Sequence, residues 1–442
     1  MLQEQDIAFE LVCQEYHCKT YLSNADETKS VFVFESRQRA KDVVCPYCGS
    51  SVHICESVSR SLQDVPIWSD TAQELCFVGH RYRCTKCGRK HTPPLPLQYP
   101  GTRITERAAT WIRTMLLNKL PTKSVQKLTG IHWETIRNIH RETMNETLRE
   151  HQAALKAGGY HPHFLAVDEF AIRKGHSYAT SVMDLETGEV LWVGEGRSKE
   201  DFRRFFDEID PSFTTEVIAV AMDMNASYHI VVQEKLPQAQ IVYDRYHMQA
   251  QYGREVLGTV RLDEARKHKA ASKELSEQLS GLPDEEKRHV KAQIREEKNQ
   301  YREMKKLRWT LLTNGENLSD TRAASLQAIL ETHSDLAVCY AMKEEMISLF
   351  KLRDAVQAQI GWRNWFSAAK ASGIPVLVSF AERKEKRING LVAHATYPIS
   401  TGKLEGFNNK IKVAKRVGYG YRDDDYFFLL VRFLSLPSPR FP

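Results

Sequence analysis

Two short cysteine knuckles constrain this chain more than any other feature. Cys45-Pro-Tyr-Cys48-Gly49 and Cys84-Thr-Lys-Cys87-Gly88 repeat one C-x2-C-G pattern. Thiolates paired at that spacing grip a single tetrahedral zinc ion, and the glycine after each pair relieves the knuckle turn. The two knuckles must therefore meet in space, whatever lies between them. The stretches 73–78 and 81–83 read as strands, so residues 45–91 are expected to form a zinc ribbon inside an N-terminal region of 1–100. Four protein ligands leave such an ion no open position, which makes it structural Zn2+. Disulfides are the competing reading, and the opening Met1-Leu2-Gln3-Glu4-Gln5-Asp6 lacks the basic-then-apolar export pattern that would favour them. Cys13, Cys18, Cys55, Cys76 and Cys339 have no paired spacing and are expected as small buried residues.

Length sets the next bound. A chain of 442 residues, 42% hydrophobic and 27% charged, can hold several domains with sizeable cores. No apolar run is long enough to span a bilayer, so no membrane partner and a cytoplasmic location are expected. The net charge of +6 leans only slightly toward polyanions.

After a proline-rich linker at 93–100, helical spacing of apolar residues runs over 104–119 and stops before Pro121. A second helix is expected over 122–129, then the turn Gly130-Ile131-His132, then a third helix over 133–141. Helix, glycine turn, helix is the helix-turn-helix plan, expected here as a DNA-binding domain over 101–155. Its second helix would present Glu134, Thr135, Arg137, Asn138 and Arg141 to bases and phosphates.

From residue 160 to 248 the pattern changes to alternating strands and helices. Asp168 sits at the end of His163-Phe164-Leu165-Ala166-Val167, and Asp223 ends Val217-Ile218-Ala219-Val220-Ala221-Met222. Three strands in a meander followed by strand, helix, strand is the order of a ribonuclease-H-like fold, in which the first and fourth strands lie side by side. Glu405 opens a segment whose apolar residues Leu404, Phe407, Ile411 and Ala414 recur at helical spacing, with Asn409, Lys412 and Arg416 on its own polar face. Two carboxylates from neighbouring strand ends and one from a helix can hold two divalent ions for in-line phosphoryl transfer. Three hard oxygen ligands suit Mg2+, with Mn2+ as a substitute. Lys412 and Arg416 are expected to meet DNA phosphates.

Between these parts, residues 249–395 read as a mainly helical insertion, with a charge-rich hairpin broken at Gly281-Leu282-Pro283-Asp284. Trp362, Trp365, Phe366 and the basic run 383–387 are candidates for touching DNA. Residues 396–442 would complete the core. The expected whole is a multidomain α/β protein: a ribonuclease-H-like catalytic core with a helical insertion, preceded by the ribbon and the helix-turn-helix.

Four stretches carry a family resemblance: residues 167–180, Met222-Asp223-Met224, Tyr243-Asp244-Arg245-Tyr246-His247 and residues 400–412. In this order they resemble the bacterial insertion-sequence transposases of the ISL-three type, over nearly the whole chain. The resemblance implies a DDE transposase that binds the terminal inverted repeats of its element, cuts double-stranded DNA and joins the ends to target DNA, as a homodimer in the active complex and on the nucleoid when bound. It implies Asp168, Asp223 and Glu405 as the catalytic, metal-holding triad, and Asp244 and His247 as an accessory pair that shapes the site. A DNA-binding regulator with an inactive nuclease body, or a host recombination or repair nuclease, is the alternative.

Overall fold

The computed structural model describes residues 16–23, 29–65, 72–173, 175, 177–418 and 420–437. Cys13, and Lys174 and His176 of the first family stretch, lie outside them. The chain divides into two compact units, one of residues up to Ala154 together with those from Lys412 onward, the other of Leu155–Ile411.

The first unit begins with strands β1 (Tyr16–Ser23), β2 (Lys29–Ser36), β3 (Val52–Asp64), β4 (Ala72–Cys84) and β5 (Lys90–His91). They form one sheet in the order β1-β2-β4-β3, with β5 paired to β4. The two short strands expected at 73–78 and 81–83 are one continuous strand, β4, which passes through Gly79. A Cβ there would stand 3.3 Å from the Tyr16 hydroxyl, a tight contact that glycine avoids. Phe32, Phe34, Leu62, Leu75 and Phe77 bury one face of the sheet. Of the unpaired cysteines, Cys339 is buried, whereas Cys18 and Cys76 are half-buried and Cys55 is exposed. Burial is thus corrected for three of them; Cys55 lies on a β3 face that meets solvent.

Three helices follow: α1 (Glu106–Leu117), α2 (Thr122–Thr129) and α3 (Trp133–Ala157). Thr105 caps α1 by accepting from the Ala108 N–H at 3.0 Å, and its hydroxyl donates to Asp64 of β3 at 2.5 Å. Gly130, at φ 69°, closes α2 in the left-handed conformation that glycine adopts without a Cβ clash. Ile112, Leu116, Val125, Ile131, Ile136 and Ile139 pack the three helices together. The α3 helix runs to Ala157, well past the expected end at 141, because Met144 and Leu148 continue its apolar stripe and meet Tyr426, Leu430 and Phe433 of the C-terminal helix Asp424–Ser435.

The second unit holds strands β6 (Phe164–Arg173), β7 (Ser177–Asp184), β8 (Val190–Glu195), β9 (Ala219–Met222) and β10 (Gln240–Tyr243), with helices α4 (Lys199–Glu208), α5 (Ala226–Lys235) and α6 (Arg245–Tyr252) between and after them. The sheet order is β10-β9-β6-β7-β8. β6, β7 and β8 form the antiparallel meander, while β9 and β10 add in parallel beside β6. The first and fourth strands are therefore neighbours, the adjacency on which the carboxylate argument depends.

The insertion is helical throughout its described length. Helices α7 (Gly258–Gln278) and α8 (Asp284–Lys306) form the expected hairpin. Trp362, Trp365 and Phe366 are fully buried at its centre, so they cannot meet DNA as the sequence suggested. Trp365 donates its indole N–H to the Met342 carbonyl at 2.8 Å, and Tyr252 of α6 packs on Phe380, which makes the sheet core and the insertion core one hydrophobic cluster. No helix among the described residues is long and apolar enough to cross a membrane.

Candidate functional site

Strand register builds the acidic site. Val167 of β6 pairs with Met222 of β9, and Met222 pairs with Tyr243 of β10. The residue after each member of that row is an aspartate: Asp168, Asp223 and Asp244. Parallel neighbours lie about 4.8 Å apart, so three carboxylates stand side by side at one end of the sheet. Asp168 and Asp244 are buried and Asp223 is half-buried.

The fourth carboxylate arrives on helix Gly402–Val417. The Thr401 N–H at its start donates to Asp244 Oδ2 at 2.9 Å. Asp244 Oδ1 accepts from the Tyr246 and His247 N–H groups, at 2.7 and 3.1 Å, and so caps α6. One buried carboxylate thus fixes the starts of two helices. Along the second of them Asn408 donates its side-chain N–H to Asp168 Oδ2 at 2.9 Å. Glu405 accepts from the Thr401 hydroxyl at 3.4 Å, and its Oε1 lies 3.2 Å from His247 Nε2. That ring nitrogen is shielded from solvent and makes no aligned hydrogen bond.

Electrostatics agree with this crowding. Burial, offset by the Glu169 N–H and His247 and reinforced by the charges of Asp223 and Glu405, pushes the Asp168 carboxyl up to about 6. Opposite Asp223, a cleft of about 490 Å³ is lined by Arg197, Arg254 and Lys384 as well as acids. Lys384 is buried, donates to Gln251 Oε1 at 2.6 Å, and is held down to about 8 by that burial. Of the basic run 383–387, Lys384 therefore faces this cleft rather than open solvent.

The donor chemistry fits divalent cations. Carboxylate oxygens of Asp168, Asp223 and Glu405 are hard ligands, and an imidazole nitrogen, Glu405 and Asp244 bring ligand atoms within 4.8 Å of one another. Asp244 has both oxygens engaged by backbone N–H groups at the starts of two helices, which gives it a positioning role.

The thiols form a second centre. Cys45, Cys48, Cys84 and Cys87 place their sulfurs within 4.8 Å of one another, with 3.7 Å between Cys45 and Cys87 and 3.4 Å between Cys48 and Cys84. Those separations are close to the edge of a tetrahedron with 2.3 Å metal–sulfur bonds. Both knuckles close the same way: Gly49 N–H donates to Cys45 O, Gly88 N–H to Cys84 O, and each glycine sits at φ 70°. Pairing of Val52 with Cys84 across β3 and β4 brings the knuckles together. Four soft sulfurs in a closed set fit zinc.

The remaining expected site residues divide. Asn138 is exposed on α3. Arg137 and Arg141 are not free as expected: both guanidiniums pair with Asp423, the second at 2.6 Å, and stack on Tyr426 at 4.9 and 5.8 Å. Lys412 and Arg416 are exposed, further along the helix that bears Glu405. Asn408 and Thr401 escaped the sequence reading, as did Arg197 and Arg254 of the cleft. Asn408 could have been found, since it falls within the apolar stripe of Leu404, Phe407 and Ile411, and a buried amide needs a partner.

Comparison with known proteins places the chain among transposases. The family model described as a transposase of the DDE type, ISL3, matches residues 165–431. The transposase for insertion sequence element IS1001 of Bordetella parapertussis is 33% identical over 89% of this chain and 89% of its own length. That for IS1557 of Mycobacterium tuberculosis is 26% identical over 58% of this chain and 56% of its own.

Proposed function

We propose, from the premise that this chain belongs to the ISL3 family of DDE transposases, that Asp168, Asp223 and Glu405 hold the divalent ions of its DNA-cutting and strand-transfer reaction. The reading rests above all on the register row of Val167, Met222 and Tyr243, which sets three aspartates beside one another. Bound at these carboxylates, the ions would activate the attacking oxygen and stabilise the leaving oxygen of an in-line displacement. Mg2+ suits the oxygen set, with Mn2+ as substitute.

The chain's own groups do the positioning. Asn408 fixes the rotamer of Asp168 by donating to Oδ2, while Oδ1 accepts from the Glu169 N–H at 2.8 Å. Asp244 holds the start of the Glu405 helix through Thr401 and the start of α6 below His247, so the accessory pair sets distances between elements far apart in sequence. His247, whose Nε2 lies 3.2 Å from Glu405, would hold that carboxylate by charge when protonated. Lys384, Arg254 and Arg197 supply positive charge to the cleft in which a scissile phosphate would lie.

Zinc at the four cysteines would be structural and would hold the ribbon, and α2–α3 would act as the helix-turn-helix that reads the terminal inverted repeats. Asn138 is its free base-reading candidate, with Arg137 and Arg141 available once Asp423 releases them. Lys412 and Arg416 would contact phosphates. Two copies would act together on two ends in the cytoplasm, on nucleoid DNA. The test is cleavage of a duplex bearing the element's end by Asp223→Asn and Glu405→Gln proteins. Loss of cleavage with end binding kept supports the triad; retained cleavage by either variant removes that residue from it.

A further inference from the structure

The helical hairpin α7–α8 carries a groove that the chemistry above does not use. Arg266, Lys269 and Lys273 of α7 line it with Lys298 and Arg302 of α8, beside Tyr301, and no carboxylate lines it. All five cations are exposed. Arg266 pairs with Asp263 at 2.6 Å and Lys273 approaches Glu277 at 3.6 Å, whereas Lys269, Lys298 and Arg302 have no ion-pair partner among the described residues.

Several lysines of the hairpin outside the groove are matched by acids three residues away, as in Lys267 with Glu264, Lys287 with Asp284 and Lys306 with Glu303. Inside the groove Lys269 and Lys273, and Lys298 and Arg302, stand four residues apart on one helix face, with no acid in the lining. Like charges at that spacing repel each other. A solvated face would be expected to mix signs. One sign only, on both walls of a concave surface, is the footprint of a polyanion.

We propose that this groove holds the phosphate backbone of duplex DNA, away from the reacting ends. The proposal rests on reading the chain as a DNA-cutting enzyme and deepens it by assigning the insertion a clamp on flanking or target DNA. Contacts to phosphates alone carry no sequence preference, so the groove should grip any duplex.

The test uses the full, zinc-loaded chain and compares two triple variants of equal charge change. Lys269→Gln with Lys298→Gln and Arg302→Gln removes the unpaired groove cations. Lys267→Gln with Lys291→Gln and Lys306→Gln removes charge from the same two helices outside the groove. Binding to end-bearing and scrambled duplexes is titrated against salt, with thermal melts to verify folding. The groove triple should weaken both duplexes alike and flatten the plot of log affinity against log salt by about 2 to 3, since each lost phosphate contact removes about 0.9 from the slope. The control triple should leave that slope near wild type. An unchanged slope in the groove triple, or an equal fall in both triples, overturns the proposal. Mg2+-dependent cleavage by the wild-type chain is measured alongside: its absence would refute the enzymatic reading, while the slope difference still reports on the groove alone.

Discussion

The two centres of this molecule gather their ligands in opposite ways. The thiol centre is built from two copies of one local turn, delivered by the paired strands β3 and β4, and each turn brings one buried and one exposed thiol. The acidic centre draws on β6, β9, β10 and a helix more than 150 residues further along, and its carboxylates differ in burial and in hydrogen bonding. A closed set of thiolates makes a fold depend on its ion. An open set of carboxylates leaves room for a substrate oxygen. On the function proposed above, the contrast separates a region that would hold structure and read DNA from a region that would cut it, and each variant below should damage one without the other.

The largest effect falls on cutting. Asp168→Asn should lower cleavage by more than about 10³-fold, the scale at which one electrostatic element of a reaction site acts, while affinity for the terminal repeat stays within a few-fold. Single-turnover cleavage and gel-shift binding on the same preparation check both halves. The same substitution should stabilise the Mg2+-free protein at pH 7.5. The folded-state pKa of Asp168 is raised, to about 6, so its contribution to stability is present at acid pH and lost as pH rises through 6; an amide never carries that buried charge. Melts in magnesium-free buffer with zinc retained read this out, and a variant melting below wild type would contradict it.

Reading should fail next, with cutting chemistry spared. Cys84→Ser removes a ligand of a closed set, and folding free energy coupled to a structural zinc is on the order of 10 kcal/mol. The variant should lose its zinc by metal analysis, show protease cleavage within residues 45–91, and lose end binding. Mg2+ binding at the acidic centre, followed by calorimetry, should remain. Zinc retained at full occupancy would argue that the four thiols do not share one ion.

How much of this was open to sequence reading follows from the same contrast. The thiol centre was legible because its signal is local: two knuckles of fixed spacing, each with its glycine. The strand adjacency of Asp168 and Asp223 was legible because apolar runs with an acid at the end mark strand termini, and the meander sets which strands touch. Asn408 and Thr401 were not read, since their partners lie on other strands and only the packed helix brings them together. Trp362, Trp365 and Phe366 looked available to DNA because aromatic residues at helical spacing serve a core and a surface equally well; burial decided for the core. The link of Asp423 to Arg137 and Arg141 spans nearly 300 residues, and charge alone does not name a partner at that distance.

A subtler effect on the reading side depends on pH. His140 of α3 is buried, its Nδ1 is 2.7 Å from the Tyr426 hydroxyl, and burial holds its pKa down to about 4. A depressed histidine pKa means that the unfolded chain binds the proton more readily. Stability from this contact is therefore full above pH 6.5 and falls as pH drops toward 4. The melt of the helices that pack on Asp424–Ser435 should weaken across that window, and His140→Phe should flatten the dependence. An unaltered pH profile in the variant would assign the acid sensitivity elsewhere.

On the cutting side, Asn408→Ala should lower cleavage about 10- to 100-fold, the usual cost of removing a group that orients a metal ligand. The loss should be recovered in part at high Mg2+, because Asp168 is still present but less well aimed. Cleavage measured against Mg2+ concentration separates this from a defect in the reaction itself: a lower plateau with unchanged half-saturation would place Asn408 in contact with the reacting strand instead.

The smallest effect tests whether the reading helix is held in reserve. Asp423 pairs with both Arg137 and Arg141, and such partly exposed ion pairs are each worth under about 1 kcal/mol, so Asp423→Asn should barely move the melting temperature. It would, however, leave two guanidiniums on α3 without their carboxylate, still stacked on Tyr426. If α3 meets DNA with that face, affinity for duplex DNA should rise a few-fold and the salt slope should steepen by up to about 2, one phosphate contact for each released arginine. A gain for scrambled DNA equal to that for the terminal repeat would make the pair a backbone clamp. A larger gain for the repeat would make Arg137 or Arg141 a base reader beside Asn138. No change on either duplex would mean that this face of α3 is structural, and that recognition lies with the ribbon.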